Sequence, residues 1–150
     1  MKIELKNIKY SKFASQETYC FEATLYIEDE KMGFVSNNGN GGCCNYSPEL
    51  YNKFPDGLDD AVFSLIDTWL LKKDLKRMLK KVTMIDEKKT FTFKFSPDKL
   101  TDKLRDTIEK KYPNGIILND LNFENAFLLY EKQTNDAYEA YQRETFQPIV

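Results

Sequence analysis

Histidine is absent from the 150 residues. Its absence excludes Ser-His-Asp and Cys-His nucleophilic sites, the commonest general base near neutral pH, and every His-containing zinc site. Cysteine is scarce. Cys20, Cys43 and Cys44 are an odd set with two adjacent members, which fits neither a secreted disulfide framework nor a four-cysteine zinc centre. Reduced thiols in a cytosol are the expectation. Long apolar runs are missing, so no segment is expected to span a membrane. Residues 1–10, MKIELKNIKY, alternate charged and apolar positions and lack the apolar stretch of a secretory leader. The formal net charge of −2 carries no basic excess for bulk nucleic-acid binding and is too small for a DNA mimic. Neither a cofactor nor a metal is expected.

What is present is enough for a globular fold. Hydrophobic residues make up 41% and charged residues 31% of a chain the length of one domain. Residues 2–10 read as a strand. Ile3 and Leu5 share one parity and Ile8 and Tyr10 the other, which predicts a bulge near Lys6-Asn7. Residues 19–28 alternate cleanly, with Phe21, Ala23, Leu25 and Ile27 facing inward. A charged turn over residues 28–31 returns the chain into residues 32–36 and completes a hairpin. A second hairpin is expected over residues 82–85 and 90–95, with Phe91, Phe93 and Phe95 on one side. Ser47-Pro48-Glu49 and Ser96-Pro97-Asp98 have the form of helix starts. The first helix should be short, because Phe54-Pro55-Asp56-Gly57 breaks it. A buried strand is expected at residues 116–118, then a helix capped by Asp120 or Asn122, with Thr134-Asn135-Asp136 as an interruption. The fold class is α+β: antiparallel hairpins with packed helices in a single domain.

The major helix begins near Leu58, and its pattern reverses. Leu58, Ala61, Val62, Leu65, Ile66, Trp69 and Leu70 occupy one arc; Leu71, Leu75, Met78, Leu79 and Val82 occupy roughly the opposite one. A break, a kink or a change of packing partner is expected at Leu71-Lys72. Lys72, Lys73, Lys76, Arg77 and Lys80, with Lys81, fill the complementary arc. They form either a solvated face favoured by the helix dipole or a docking face for an anionic partner.

The densest feature is NNGNGGCCNY, residues 37–46. Gly39, Gly41 and Gly42 permit positive φ and close approach to the main chain. The loop lacks the glycine of a dinucleotide-binding turn at Cys44 and the Lys-Ser or Lys-Thr of a Walker loop. It is therefore either a turn that needs only flexibility or a nest for an anion ahead of a helix start. Asn37, Asn38, Asn40 and Asn45 offer both donors and acceptors to a ligand, with Tyr46 beside them. Glu17 and Thr18, within Ser15-Gln16-Glu17-Thr18, come within reach of this loop if the hairpin register allows. Asp59-Asp60 reads as compensation of a helix dipole. No catalytic residues are assigned.

SQETYCFEATLYIEDEKMGFVSNNGNGGC, LLKKDLKRMLKK and GIILNDLNFENAF together resemble a pattern found in small uncharacterised proteins of bacteriophages and mobile elements. In that pattern a Ser-x-Glu-Thr segment precedes a hairpin ending in an Asn/Asp-Gly-x-Gly-Gly loop, and an ILND-type segment follows later. The resemblance covers most of residues 15–130; Asn38-Gly39-Asn40 and Cys43-Cys44 depart from it. It implies a non-enzymatic counter-defence or host-modulating protein of the host cytoplasm. Such a protein acts by binding a host immune protein or a small nucleotide signal. Alternatives are an enzyme acting on a phosphorylated small molecule and a virion structural or assembly protein. Tyrosines beside alanines at helical spacing in residues 131–150, with Phe146, suit a self-associating surface.

Overall fold

A computed structural model describes residues 1–50, 57–87 and 89–145. The architecture is α+β, with two antiparallel sheets and three α-helices among the described residues. Its contacts divide the chain into two compact units, Met1–Leu70 and Leu71–Val150.

The first unit holds a four-stranded sheet ordered β1 (Ile3–Ser11), β2 (Cys20–Ile27), β3 (Glu30–Asn38) and β4 (Asn45–Tyr46). The β1–β2 register shifts between Lys6 and Lys9, and Asn7 takes φ 54°. That is the bulge the parity change requires. Because of it, Ile3, Leu5, Ile8 and Tyr10 all pack on one core despite their mixed parity. The turn between β2 and β3 is tighter than expected. Ile27 pairs with Glu30, and Glu28 and Asp29 both have positive φ, at 51° and 65°, the form that matches strand twist in a two-residue hairpin. Phe21, Ala23, Leu25, Ile27 and Val35 form the sheet side of the core, against Val62 and Ile66 of α1 (Leu58–Met78).

Ser47 does not cap a helix with its side chain. Its Oγ accepts the Phe34 N–H at 2.8 Å, while Pro48–Leu50 forms a single 3-10 turn. A Cβ on Gly33 would stand 2.8 Å from Ser47 Cβ, so this close approach needs glycine. The breaker at residues 54–56 lies outside the described residues.

The expected reversal in α1 is present as a change of packing partner without a break. Leu58, Val62, Phe63, Ile66 and Leu70 belong to the core of the first unit. Leu71, Leu75 and Leu79 pack with Leu118, Ala126 and Phe127 in the second. The unit boundary falls between Leu70 and Leu71.

In the second unit a three-stranded sheet has the order β6 (Lys89–Thr92), β5 (Thr83–Asp86), β7 (Ile116–Ile117). Phe91, Phe93 and Phe95 share one cluster with Met84, Ile108 and Ile117, although the last two rings lie beyond β6. The cap of α2 (Asp102–Lys111) is Thr101, whose side chain accepts the Leu104 N–H. Ser96 instead precedes a 3-10 turn at Pro97–Lys99. Asn122, rather than Asp120, caps α3 (Phe123–Thr145), accepting the Asn125 N–H at 2.8 Å. The helix runs uninterrupted through residues 134–136, where the Thr134 hydroxyl turns back to the Tyr130 carbonyl at 2.9 Å.

Candidate functional site

Two loops meet at one end of the first sheet: residues 12–19 between β1 and β2, and residues 39–44 after β3. Strand pairing brings them together, because Cys20 opposes both Ser11 and Asn38. The register thus fulfils the condition set for Glu17 and Thr18.

The glycines take the expected positive φ: 86° at Gly39, 94° at Gly41 and 81° at Gly42. Of the two readings of this loop, a turn or a nest, the hydrogen bonds describe a turn packed onto its neighbour's donors. The N–H groups of Gln16, Glu17 and Thr18 converge on the Gly39 carbonyl at 3.0, 2.9 and 3.2 Å. The concave donor set therefore belongs to the other loop, and a carbonyl of the glycine loop fills it. The glycine loop's own donors are mostly spent. Gly39 N–H goes to Asn37 Oδ1 at 2.9 Å, Asn40 N–H to Asn38 Oδ1 at 3.1 Å and Gly41 N–H to Thr18 Oγ1 at 3.2 Å.

Asn37 is the centre of this network. It is 3% exposed, its Oδ1 also accepts the Thr18 hydroxyl at 2.6 Å, and its amide donates to the Gly42 and Cys43 carbonyls. Asn37 and Gly39 are therefore buried scaffolding, which corrects their placement on a ligand surface. Thr18 likewise spends its hydroxyl inside the loop. Glu17, Asn38, Asn40, Gly42 and Asn45 remain exposed.

A second tie fixes the far side of the loop. Asp59, in the first turn of α1, accepts the Cys44 N–H at 3.0 Å through Oδ2 and the Tyr46 hydroxyl through Oδ1. Its role is thus more than dipole compensation. Burial first, and the neighbouring Asp59 charge second, push the Cys44 thiol up to about 12. Burial and the bond to Asp59 likewise raise the Tyr46 phenol. The Tyr19 phenol, half-buried and bonded to Asp67, is pushed up to about 12. All three groups are protonated at neutral pH, so Cys44 is no ready nucleophile. Cys43 is exposed and Cys20 partly buried, both as free thiols.

Phe13 is the surface residue that sequence reasoning passed over. It stands on the 12–19 loop and is 94% exposed. Its signal was an aromatic side chain inside a polar turn, outside any alternating pattern.

The basic residues of α1, with Lys80 two residues past its end, lie in the second unit, away from this loop in sequence. Lys72, Lys73, Lys76, Arg77 and Lys80 are all exposed, as expected. Lys72 Nζ sits 5.2 Å from the Phe127 ring centroid and Lys76 Nζ 5.3 Å from that of Phe123, while Arg77 pairs with Asp74 at 3.5 Å. Part of the ladder therefore lies flat over two stacked rings.

No group of His, Cys, Asp and Glu among the described residues is arranged to hold a metal ion. No helix among them is long and apolar enough to cross a membrane. Comparison with known protein families, characterised proteins and solved structures finds no match to the chain.

Proposed function

We propose that this chain is a binding protein that works without turnover, and that the paired loops at the end of its first sheet contact a host defence protein. The observation that carries this reading is Phe13, 94% exposed on a loop whose backbone is pinned from within. An aromatic side chain held out on a rigid loop gains free energy when a partner covers it, and aromatics of this kind anchor interfaces. Around it, Glu17, Asn38, Asn40, Gly42 and Asn45 supply a polar rim. The internal hydrogen bonds hold that rim in one shape before binding, which lowers the entropy lost on association. The raised thiol of Cys44 disfavours it as a nucleophile. The resemblance to small phage proteins supplies the class of partner and the cytoplasmic setting.

Affinity capture on immobilised protein from bacterial lysate, compared between wild type and Phe13→Ser, tests the reading. A host protein retained by wild type and lost with Phe13→Ser, at unchanged melting temperature, is the expected result. Equal retention by both proteins, or a metabolite consumed over many turnovers, overturns it.

A further inference from the structure

Beside the paired loops lies an open cavity of about 600 Å³ whose lining includes Tyr10, Lys12, Gln16, Glu17, Tyr19 and Phe63. Its wall is aromatic. The Tyr10 and Tyr19 rings meet edge to face at 6.1 Å, and the Tyr19 and Phe63 rings are tilted at 6.5 Å. These rings are half-buried and locked from behind: Tyr19 by its hydroxyl on Asp67, Tyr10 by an edge contact to Trp69 at 6.2 Å. The rim is polar and carries both charges. Lys12, Gln16 and Glu17 are exposed, and among the described residues neither Lys12 nor Glu17 has an ion-pair partner.

The volume lies inside the usual range for small-molecule sites, roughly 300–1,000 Å³. The mixture of groups narrows the ligand. A sugar phosphate would meet Lys12 but leave the rings without a flat partner. A cationic side chain would suit the ring faces and Glu17 but would leave Lys12 without a partner. A planar base carrying hydroxyls and a phosphate has a partner for each group. We propose that this cavity binds a nucleoside phosphate, with the base against Tyr10, Tyr19 and Phe63, the phosphate at Lys12, and Gln16 and Glu17 taking the hydrogen bonds of base or ribose.

This site shares Glu17 with the rim of the protein-binding surface but does not use Phe13, so Phe13→Ser and Lys12→Met test the two readings separately. The single tryptophan, Trp69, lies against Tyr10 and serves as a fluorescence reporter for the full chain. AMP, adenosine, ribose 5-phosphate and Nα-acetyl-arginine amide are the probes. AMP should bind, and about threefold to fivefold more tightly than adenosine, the worth of one exposed ion pair. Lys12→Met should remove that preference for AMP over adenosine. Glu17→Gln should weaken both AMP and adenosine, with ribose 5-phosphate binding least. Three results overturn the proposal: no response to millimolar AMP, equal AMP affinity in wild type and Lys12→Met, or tighter binding of the arginine amide than of AMP.

Discussion

The Thr18 hydroxyl donates to Asn37 Oδ1 at 2.6 Å, and the same Thr18 oxygen accepts the Gly41 N–H at 3.2 Å. That relay joins the two loops through side chains, in addition to the main-chain bonds onto the Gly39 carbonyl. Removing Asn37 would strand several partners in a site that is 3% exposed. Asn37→Ala is therefore expected to cost about 2–3 kcal/mol, and Thr18→Val about 1 kcal/mol. The double variant should cost less than the sum, because both changes break the same bond. Urea denaturation of the four proteins measures the cycle; strict additivity would show that the relay contributes nothing.

The glycines separate in the same experiment. A Cβ on Gly39 would drive into the Ala14 carbonyl and stand 2.9 Å from Cys20 Cβ, whereas one on Gly42 meets nothing within 4 Å. Gly42→Ala should cost only the strain of its positive φ, about 1 kcal/mol. Gly39→Ala adds overpacking and should cost about 2–5 kcal/mol. Equal urea midpoints for the two variants would refute this ranking.

Much of this scaffold was legible before any coordinates. The parity switch between Leu5 and Ile8 announces the bulge, and the reversed apolar arc after Leu70 marks the unit boundary. Both are properties of spacing, which a sequence displays directly. The choice between a turn and a nest was not legible for a physical reason. Positive φ shows that a backbone is bent, but which carbonyl or ligand fills the bend depends on cross-strand register. Ser47 failed as a side-chain cap because β3 competes for its hydroxyl, a contact thirteen residues back that local pattern does not encode. Phe13 and the cavity wall were missed because exposure is a tertiary quantity.

Asn119, within the ILND segment, does for the second unit what Asn37 does for the first. Its Oδ1 accepts the Thr83 N–H at 2.7 Å, and its amide donates to the Leu79 and Lys81 carbonyls at 3.1 and 3.0 Å. It therefore satisfies carbonyls just past the end of α1 and the first N–H of β5 together. Asn119→Ala should destabilise by about 2–3 kcal/mol. Asn119→Asp should be no rescue, since it loses both donors and places a negative charge at the helix C-terminus. Wild-type stability in the aspartate variant would rule out this joint.

Stability should fall in alkali. Cys44 and Tyr19 both have folded pKa values near 12, above their ordinary 9.0 and 10.0. Above pH 9 the unfolded chain releases these protons first, so it is favoured as pH rises. Their contribution is fully present below about pH 9 and is lost progressively toward pH 12. At pH 8 an exposed-thiol reagent should label Cys43 quickly and Cys44 only on unfolding. Rapid labelling of Cys44 in the folded protein would contradict its burial at 5% exposure.

The end of α3 makes the last prediction. Residues 135–142 are exposed on every face, so these turns of helix bury no stripe against the described residues. A peptide of that length is not a stable helix in water, and most helical stability comes from packing. Tyr138 and Tyr141, each 62% exposed, stand with Ala137 and Ala140 at helical spacing, a surface of rings beside small residues. Gln142 Nε2 donates to the Tyr138 hydroxyl at 2.6 Å, orienting that ring along the helix. The expected contribution of Phe146 lies outside the described residues. A second copy of the same helix, lacking any dominant charge at these four positions, is the simplest cover. Light scattering at micromolar concentration should therefore find an oligomer. Truncation after Gln133 should lower its state and leave the helical and strand signals of the rest intact, because Gln133 keeps its bond to the Thr90 hydroxyl. Tyr138→Ser with Tyr141→Ser should reproduce the change in mass without shortening the chain, and a monomeric wild type would remove the assembly altogether.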